Sequence, residues 1–168
     1  RSSDLAFGGL YQEGLNFAKE LKRQGLHVPV IGTVGLFSMA LLEEGGEDVE
    51  GWVVPSFFNT FSKDPRVTQF IVRFEPEAVK YTPNSTLPDA FNASAYDTMH
   101  IIAKSLTDKG LNGNSPLDEL RQAIREGWEG LKDYNGITGN TNILENGDAD
   151  KQVYVLKIED GEYKEIPY

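Results

Sequence analysis

From Leu5 to Val54 the chain alternates between short apolar runs and longer stretches in which apolar residues recur every three or four positions. Leu5-Ala6-Phe7, closed by Gly8-Gly9, predicts a buried strand that ends in a tight turn. Between Tyr11 and Gln24 the residues Leu15, Phe17, Ala18 and Leu21 fall at helical spacing, and Gly25 stops the helix. Val28-Pro29-Val30-Ile31 predicts a second strand ended by Gly32. Phe37–Glu44 predicts a short helix stopped by Gly45-Gly46, and Gly51-Trp52-Val53-Val54 a third strand. Strands that alternate with helices imply an α/β fold built on a parallel sheet with right-handed crossovers. Ligands of such sheets gather at the carboxyl ends of the strands. Here those ends are Gly8 to Tyr11, Thr33 to Ser38, and Pro55 to Asn59.

The middle of the chain is more helical. Asp64-Pro65, followed by Val67, Phe70, Ile71 and Phe74, predicts an amphipathic helix with a start signal. Pro88–Leu106 predicts the longest helix, with Ala95, Met99, Ile102, Ala103 and Leu106 on its apolar side. Ser115-Pro116 opens another, with Leu117, Leu120 and Ile124 inward. Gly136–Leu144 alternates as one strand. Val153–Ile158 and Tyr163–Ile166, joined by Asp160-Gly161, predict a β-hairpin.

Composition narrows the class. The 168 residues are 39% hydrophobic and 11% aromatic, enough for a packed core. The formal charge of −10 repels phosphate backbones, so no nucleic-acid partner is expected. With no cysteine there is no disulfide framework, thiolate metal site or cysteine nucleophile.

Candidate chemistry is sparse. His27 and His100 lack a second ligand at metal-binding spacing, so neither a metal nor another cofactor is expected. Gly8-Gly9 to Gly14 lacks the residues of a P-loop or a dinucleotide fingerprint. Ser38 has no nucleophile-elbow frame. The acidic run around Gly45-Gly46 reads as a solvated loop, and Asn146–Asp150 as a turn rather than a calcium loop. Asn84-Ser85-Thr86 and Asn92-Ala93-Ser94 match the glycosylation sequon, a pattern common by chance. No nucleophile–base pair can be assembled, so the chain is not expected to be an enzyme. What remains is a set of aromatic residues near strand ends, Tyr11, Phe37, Phe57 and Phe58, suited either to a small-molecule cleft or to the core.

Several segments together resemble a known family. Phe7–Gly14, then Gly25-Leu26 and Pro29–Gly32, are similar to the second lobe of type I periplasmic (extracellular) solute-binding proteins, in the branched-chain amino-acid ABC-transporter family. Glu50–Val54 with Phe57-Phe58 and Asp64-Pro65, then Ala95-Tyr96-Asp97, Gly136–Gly139, Asn146–Asp148 and Val153–Val155, follow in the family's order. The resemblance implies two α/β lobes joined by a three-stranded hinge, with a solute trapped between them and a membrane permease that reads the closed form. It implies a periplasmic or extracellular location, with a lipid anchor through a missing N-terminus. A sensing or regulatory domain of the same fold is the alternative.

On this resemblance residues 1–56 and 151–168 belong to the second lobe and 57–150 mainly to the first. Because members are about twice as long, the chain is expected to be a C-terminal part. Its partners would be the permease and a missing N-terminal half, with self-association through exposed apolar surface. The ligand-binding positions implied are Leu10, Tyr11, Thr33, Val34, Gly35, Phe37 and Phe57, with Ser38 as a further donor. In the family's amino-acid binders a tyrosine and an acidic residue stand where this chain has Leu10 and Val34. An ammonium buried without a carboxylate is costly, so a less cationic solute is expected, an acid or an amide.

Overall fold

A computed structural model describes residues 4–81 and 86–167. The chain divides into two compact units, one formed by residues 1–90 and 153–168, the other by 91–152.

The first unit is an α/β fold, a sheet flanked by helices. Strands β1 (Leu5–Phe7), β2 (Val30–Gly32) and β3 (Val53–Ser56) are parallel. Helix α1 (Tyr11–Arg23) connects the first two, and a 3₁₀ turn (Val34–Leu36) with helix α2 (Met39–Gly45) connects the second and third. Strands β7 (Tyr154–Glu159) and β8 (Glu162–Glu165) return at the end of the chain and extend the sheet in antiparallel sense, giving the order β1-β2-β3-β7-β8. The sheet is therefore mixed, not wholly parallel. The hairpin turn is the predicted Asp160-Gly161, both residues at positive φ (57° and 73°), the conformation a tight two-residue turn requires.

Sequence period decides what is buried. Leu15, Ala18 and Leu21 of α1 recur every three or four residues and are buried with Val30, Val54, Leu156 and Ile158 from alternate strand positions. Each such leucine, valine or isoleucine side chain contributes about 2 kcal/mol by leaving water. On the other face of the strands Ala6 and Ile31 pair across β1 and β2 and remain exposed. Helix α3 (Pro65–Ala78) starts as predicted: the Asp64 carboxylate accepts the Arg66 N–H at 2.8 Å and Pro65 occupies the first turn. Pro76 falls just before its end.

The second unit holds most of α4 (Ala90–Thr107), α5 (Leu117–Glu129) and a three-stranded antiparallel sheet, β4 (Tyr134–Gly136), β5 (Gly139–Ile143) and β6 (Ala149–Lys151). Ile101, Leu131 and Ile143 form its core, with Trp128 and Tyr134 packed on them.

Three expectations need correction here. The single strand over Gly136–Leu144 is instead the second half of a hairpin that turns at Ile137-Thr138. The apolar side read for α4 is not the buried one: Ala95, Met99 and Ala103 are exposed, and Ala93, Asp97, Ile101 and Ser105 face inward. A polar residue drives that rotation, because buried Asp97 supplies acceptors to the hairpin turn. Leu117 of α5 is exposed, being at the first helical position; Ala123 is buried instead.

Asn146–Asp148 is a turn, closed by the Asp148 N–H donating to Asn146 Oδ1 at 3.0 Å. The sequon residues Asn84 and Ser85 lie outside the described residues, while Asn92 lies in the first turn of α4.

Candidate functional site

The candidate residues lie in the first unit, at the carboxyl ends of β1, β2 and β3. The chain leaves β1 through Gly8-Gly9 and enters α1 directly. Leu10 is the N-cap, and its N–H donates to the Glu13 carboxylate at 3.1 Å. Leu10 itself is 55% exposed, and Tyr11 is half-buried. The first intrahelical bond is Gly14 N–H to the Leu10 carbonyl, so backbone N–H groups ahead of it have no helical acceptor. Such an end favours an anionic group.

The loop after β2 meets the loop after β1. Thr33 Oγ1 donates to the Gly9 carbonyl at 3.3 Å. Gly35 sits so close that a Cβ there would lie 2.8 Å from the Gly9 carbonyl oxygen and 3.1 Å from the Leu10 side chain. Thr33 is exposed, whereas Val34 and Gly35 are half-buried. Leu36 is fully buried and pins the turn: Cβ atoms at Gly32 and Gly14 would lie 2.3 Å and 2.6 Å from its methyl groups. The Thr33 hydroxyl and Gly35 thus hold the loop after β2 against Gly9 and Leu10, with Tyr11 and Val34 their neighbours in sequence.

Phe37 is not at that surface. It is 2% exposed and lies against Tyr163 of β8, ring centroids 4.7 Å apart. Next to it Ser38 caps α2, its hydroxyl accepting the Ala40 N–H at 3.2 Å. The Tyr163 hydroxyl donates to the Ser38 carbonyl at 3.0 Å and accepts the Ser38 N–H at 3.2 Å. Burial pushes that phenol well above its ordinary range.

After β3, buried Ser56 makes the turn. Its hydroxyl donates to the Phe58 carbonyl at 2.7 Å and accepts the Phe58 N–H at 3.1 Å. Phe58 is thereby driven into the core against Phe70, while Phe57 is left half-buried. Sequence reasoning missed Tyr154. It pairs with Ser56, which puts it at the same end of the sheet as Phe57. Burial is the first cause that raises its phenol, and Glu165 and Asp64 add to it. The only signal for it was the antiparallel return of β7 beside β3, which periodicity does not reveal.

Among the described residues no cluster of three or more histidine or acidic side chains could hold a metal. A cavity of about 500 Å³ in this unit lies at the opposite, amino-terminal ends of β2 and β3, beside His27, Pro29 and Trp52.

The family model described as periplasmic binding protein matches residues 4–162. The leucine-binding protein LivK of Thermotoga maritima is similar at 24% identity and a TM-score of 0.74, over 98% of this chain and 43% of that one. LivJ of Streptococcus pneumoniae, a branched-chain amino-acid transporter substrate-binding protein solved with isoleucine, is similar at 20% identity and a TM-score of 0.71, over 97% and 44%. A solute-binding protein of an ABC transporter from R. palustris, solved with benzoate, has 14% identity and a TM-score of 0.74, over 97% and 42%. No curated protein matches the chain. At these identities the solved structures establish the fold. The chain spans less than half the length of these three structures.

The family match corrects the expectation of a truncated C-terminal part with a missing N-terminal half as its partner. The family is matched from residue 4 to residue 162, nearly the whole of this chain. Matched over that span, the chain belongs to the periplasmic binding protein family, whose members bind solutes and are not enzymes.

Proposed function

We propose that this chain is an extracytoplasmic solute-binding component of an ABC transporter that captures a small organic carboxylate or amide, the class that includes amino acids, and presents it to a permease. The observation that carries the reading is the junction of the loops after β1 and β2. Thr33 on Gly9, and Gly35 against Gly9 and Leu10, hold two loops at the strand ends in one rigid surface. Residues 1–56 and 151–168 are assigned to the second lobe, and 57–150 mainly to the first.

The chemistry of the surface favours an acid or amide. Backbone N–H groups in the first turn of α1 are donors, the Thr33 hydroxyl being committed to the Gly9 carbonyl, and Leu10, Tyr11 and Phe57 offer apolar area. Leucine, isoleucine and benzoate, the solutes named for the three similar structures, each carry a carboxylate. No carboxylate side chain stands at Leu10 or Val34 to hold an ammonium, so benzoate and aliphatic acids are preferred to α-amino acids. Location outside the cytoplasm follows from the family, and a lipid that holds the protein near its permease completes the picture.

Calorimetric titration of the chain with benzoate, isovalerate, leucine and isobutyramide tests the reading. Binding of an acid or amide that Thr33→Ala weakens at least tenfold is expected. Leucine binding tighter than every acid would overturn the solute preference. Absence of binding by all four, with Leu10 and Thr33 amide resonances unmoved, would overturn the site.

A further inference from the structure

The second unit contains a cavity of its own, independent of the strand-end surface. It has a volume of about 930 Å³ and lies between α5 and the end of β5 with its following turn. Such a volume falls in the range that holds drug-sized ligands. Its lining is unusual for so acidic a chain. Arg121 and Arg125, the two arginines of the unit, both border it, and so does Trp128, the unit's one tryptophan.

The arrangement follows from helical spacing. Arg121, Arg125 and Trp128 stand four and three residues apart, on one stripe of α5. Opposite that stripe are Ile143, at the end of β5, and Leu144, 44% exposed in the turn that follows. Trp128 and Ile143 also belong to the packing of the unit's core, so the floor is fixed. The turn wall is fixed too: Leu144 N–H donates to the Asp148 carbonyl at 2.8 Å and Gly147 N–H to the Leu144 carbonyl at 2.9 Å. A cavity with rigid walls loses little order when a ligand enters.

The guanidinium groups have no strong partner of their own. Arg121 Nη1 is 3.8 Å from Asp118, whose side chain is 98% exposed, a separation too long for a hydrogen bond. Arg125 has no ion pair among the described residues, although the lining includes Glu129 and Glu145. Two solvent-exposed planar donors beside an apolar, aromatic floor suit an amphipathic carboxylate. A carboxylate can take two parallel N–H bonds from a guanidinium, and a flat apolar body can lie on the indole.

We propose that this cavity is a second binding site, selective for a small amphipathic carboxylate with an aromatic or branched apolar body. The carboxylate meets Arg121 and Arg125, and the body covers Trp128, Ile143 and Leu144. The site does not depend on the strand-end surface.

The test uses 1-naphthoate as probe, with 1-naphthalenemethanol as its uncharged counterpart, titrated into the full chain. Affinity is read by calorimetry and location by the Trp128 indole N–H resonance. Saturable binding that shifts Trp128, falls at least tenfold in the double variant Arg121→Gln/Arg125→Gln, and is at least tenfold weaker for the alcohol is the expected result. Both arginines are exposed on α5, and a circular dichroism melt identifies any loss of fold in the variant. Leu144→Asp, in the turn, gives a second variant, expected to weaken binding from the other wall. The proposal is overturned by no Trp128 shift at millimolar naphthoate, or by equal affinity in folded arginine variants. It is equally overturned by binding that Thr33→Asp abolishes and the arginine variants leave unchanged, which places the probe at the strand ends. Failure of the benzoate titration at Thr33 leaves these readouts unaffected, so the two sites stand or fall separately.

Discussion

Thr138 and Asp97 are joined twice. The Thr138 hydroxyl donates to Asp97 Oδ2 at 2.6 Å, and the Thr138 backbone N–H donates to the same oxygen at 2.9 Å, across 41 residues of sequence. The Ile137 N–H donates to Oδ1 at 3.0 Å, so one carboxylate satisfies both backbone donors of a buried turn. Lys151 Nζ donates to Thr138 Oγ1 at 2.7 Å and continues the chain of contacts. Burial lowers the affinity of that lysine for its proton, and Asp97 acts in the opposite direction.

Asp97→Ala leaves three buried donors without an acceptor. The expected cost is about 3 kcal/mol of unfolding free energy, read from urea denaturation. Thr138→Val removes one donor and is expected to cost about half as much. Equal stabilities of Asp97→Ala and the parent would show that the turn finds other partners.

Tyr163 links β8 to the start of α2 through both bonds to Ser38. Tyr163→Phe keeps the ring against Phe37 and removes the hydroxyl, with an expected loss of about 1–2 kcal/mol. Its raised pKa also sets an alkaline limit. The neutral phenol is favoured in the folded state, so this contribution is complete below the unfolded value of about 10 and is lost as pH rises above it. Denaturation followed between pH 8 and pH 11.5 is expected to show a steeper stability loss for the parent than for Tyr163→Phe.

Gly35→Ala places a methyl group 2.8 Å from the Gly9 carbonyl oxygen, and backbone must move to admit it. The expected cost is about 1–2 kcal/mol of stability, with solute affinity reduced at least tenfold. Calorimetry against the same acids that bind the parent measures this directly. Gly25→Ala, far from the strand ends at a φ of 68°, is the control expected to lower stability alone.

In the second unit α4 and α5 approach through Ser105 and Gly127. A Cβ at Gly127 would lie 2.5 Å from Ser105 Cβ. Gly127→Ala is expected to destabilise by about 2 kcal/mol, and Ser105→Gly in the same chain to recover part of that loss. A double-mutant cycle in urea reads the coupling.

The sequence made the α/β order of the first unit legible because Leu15, Ala18, Leu21 and the strand residues Val30 and Val54 are buried at the period of their own elements. The Asp160-Gly161 turn and the Asp64-Pro65 start were equally readable, since each rests on local backbone chemistry. What escaped was set by distant partners. The face of α4 was misread because Asp97 and Ser105, both polar, occupy its buried stripe. Phe37 and Tyr154 exchanged expectations for the same reason. Hydrophobicity marks both, but the β7–β8 hairpin turns Phe37 onto Tyr163 and brings Tyr154 to the end of β3. The proximity of Arg121, Arg125 and Trp128 to Leu144 depends on where β5 ends against α5, which no local pattern encodes.

Leu36 gives the loop after β2 two unequal sides. Its side chain is locked between Gly14 and Gly32, and that half of the loop tolerates neither insertion nor a bulkier neighbour. Val34 precedes it on the same short turn, half-buried and outside that packing. At the proposed site a substitution of Val34 is therefore expected to alter solute preference while the fold stays in place.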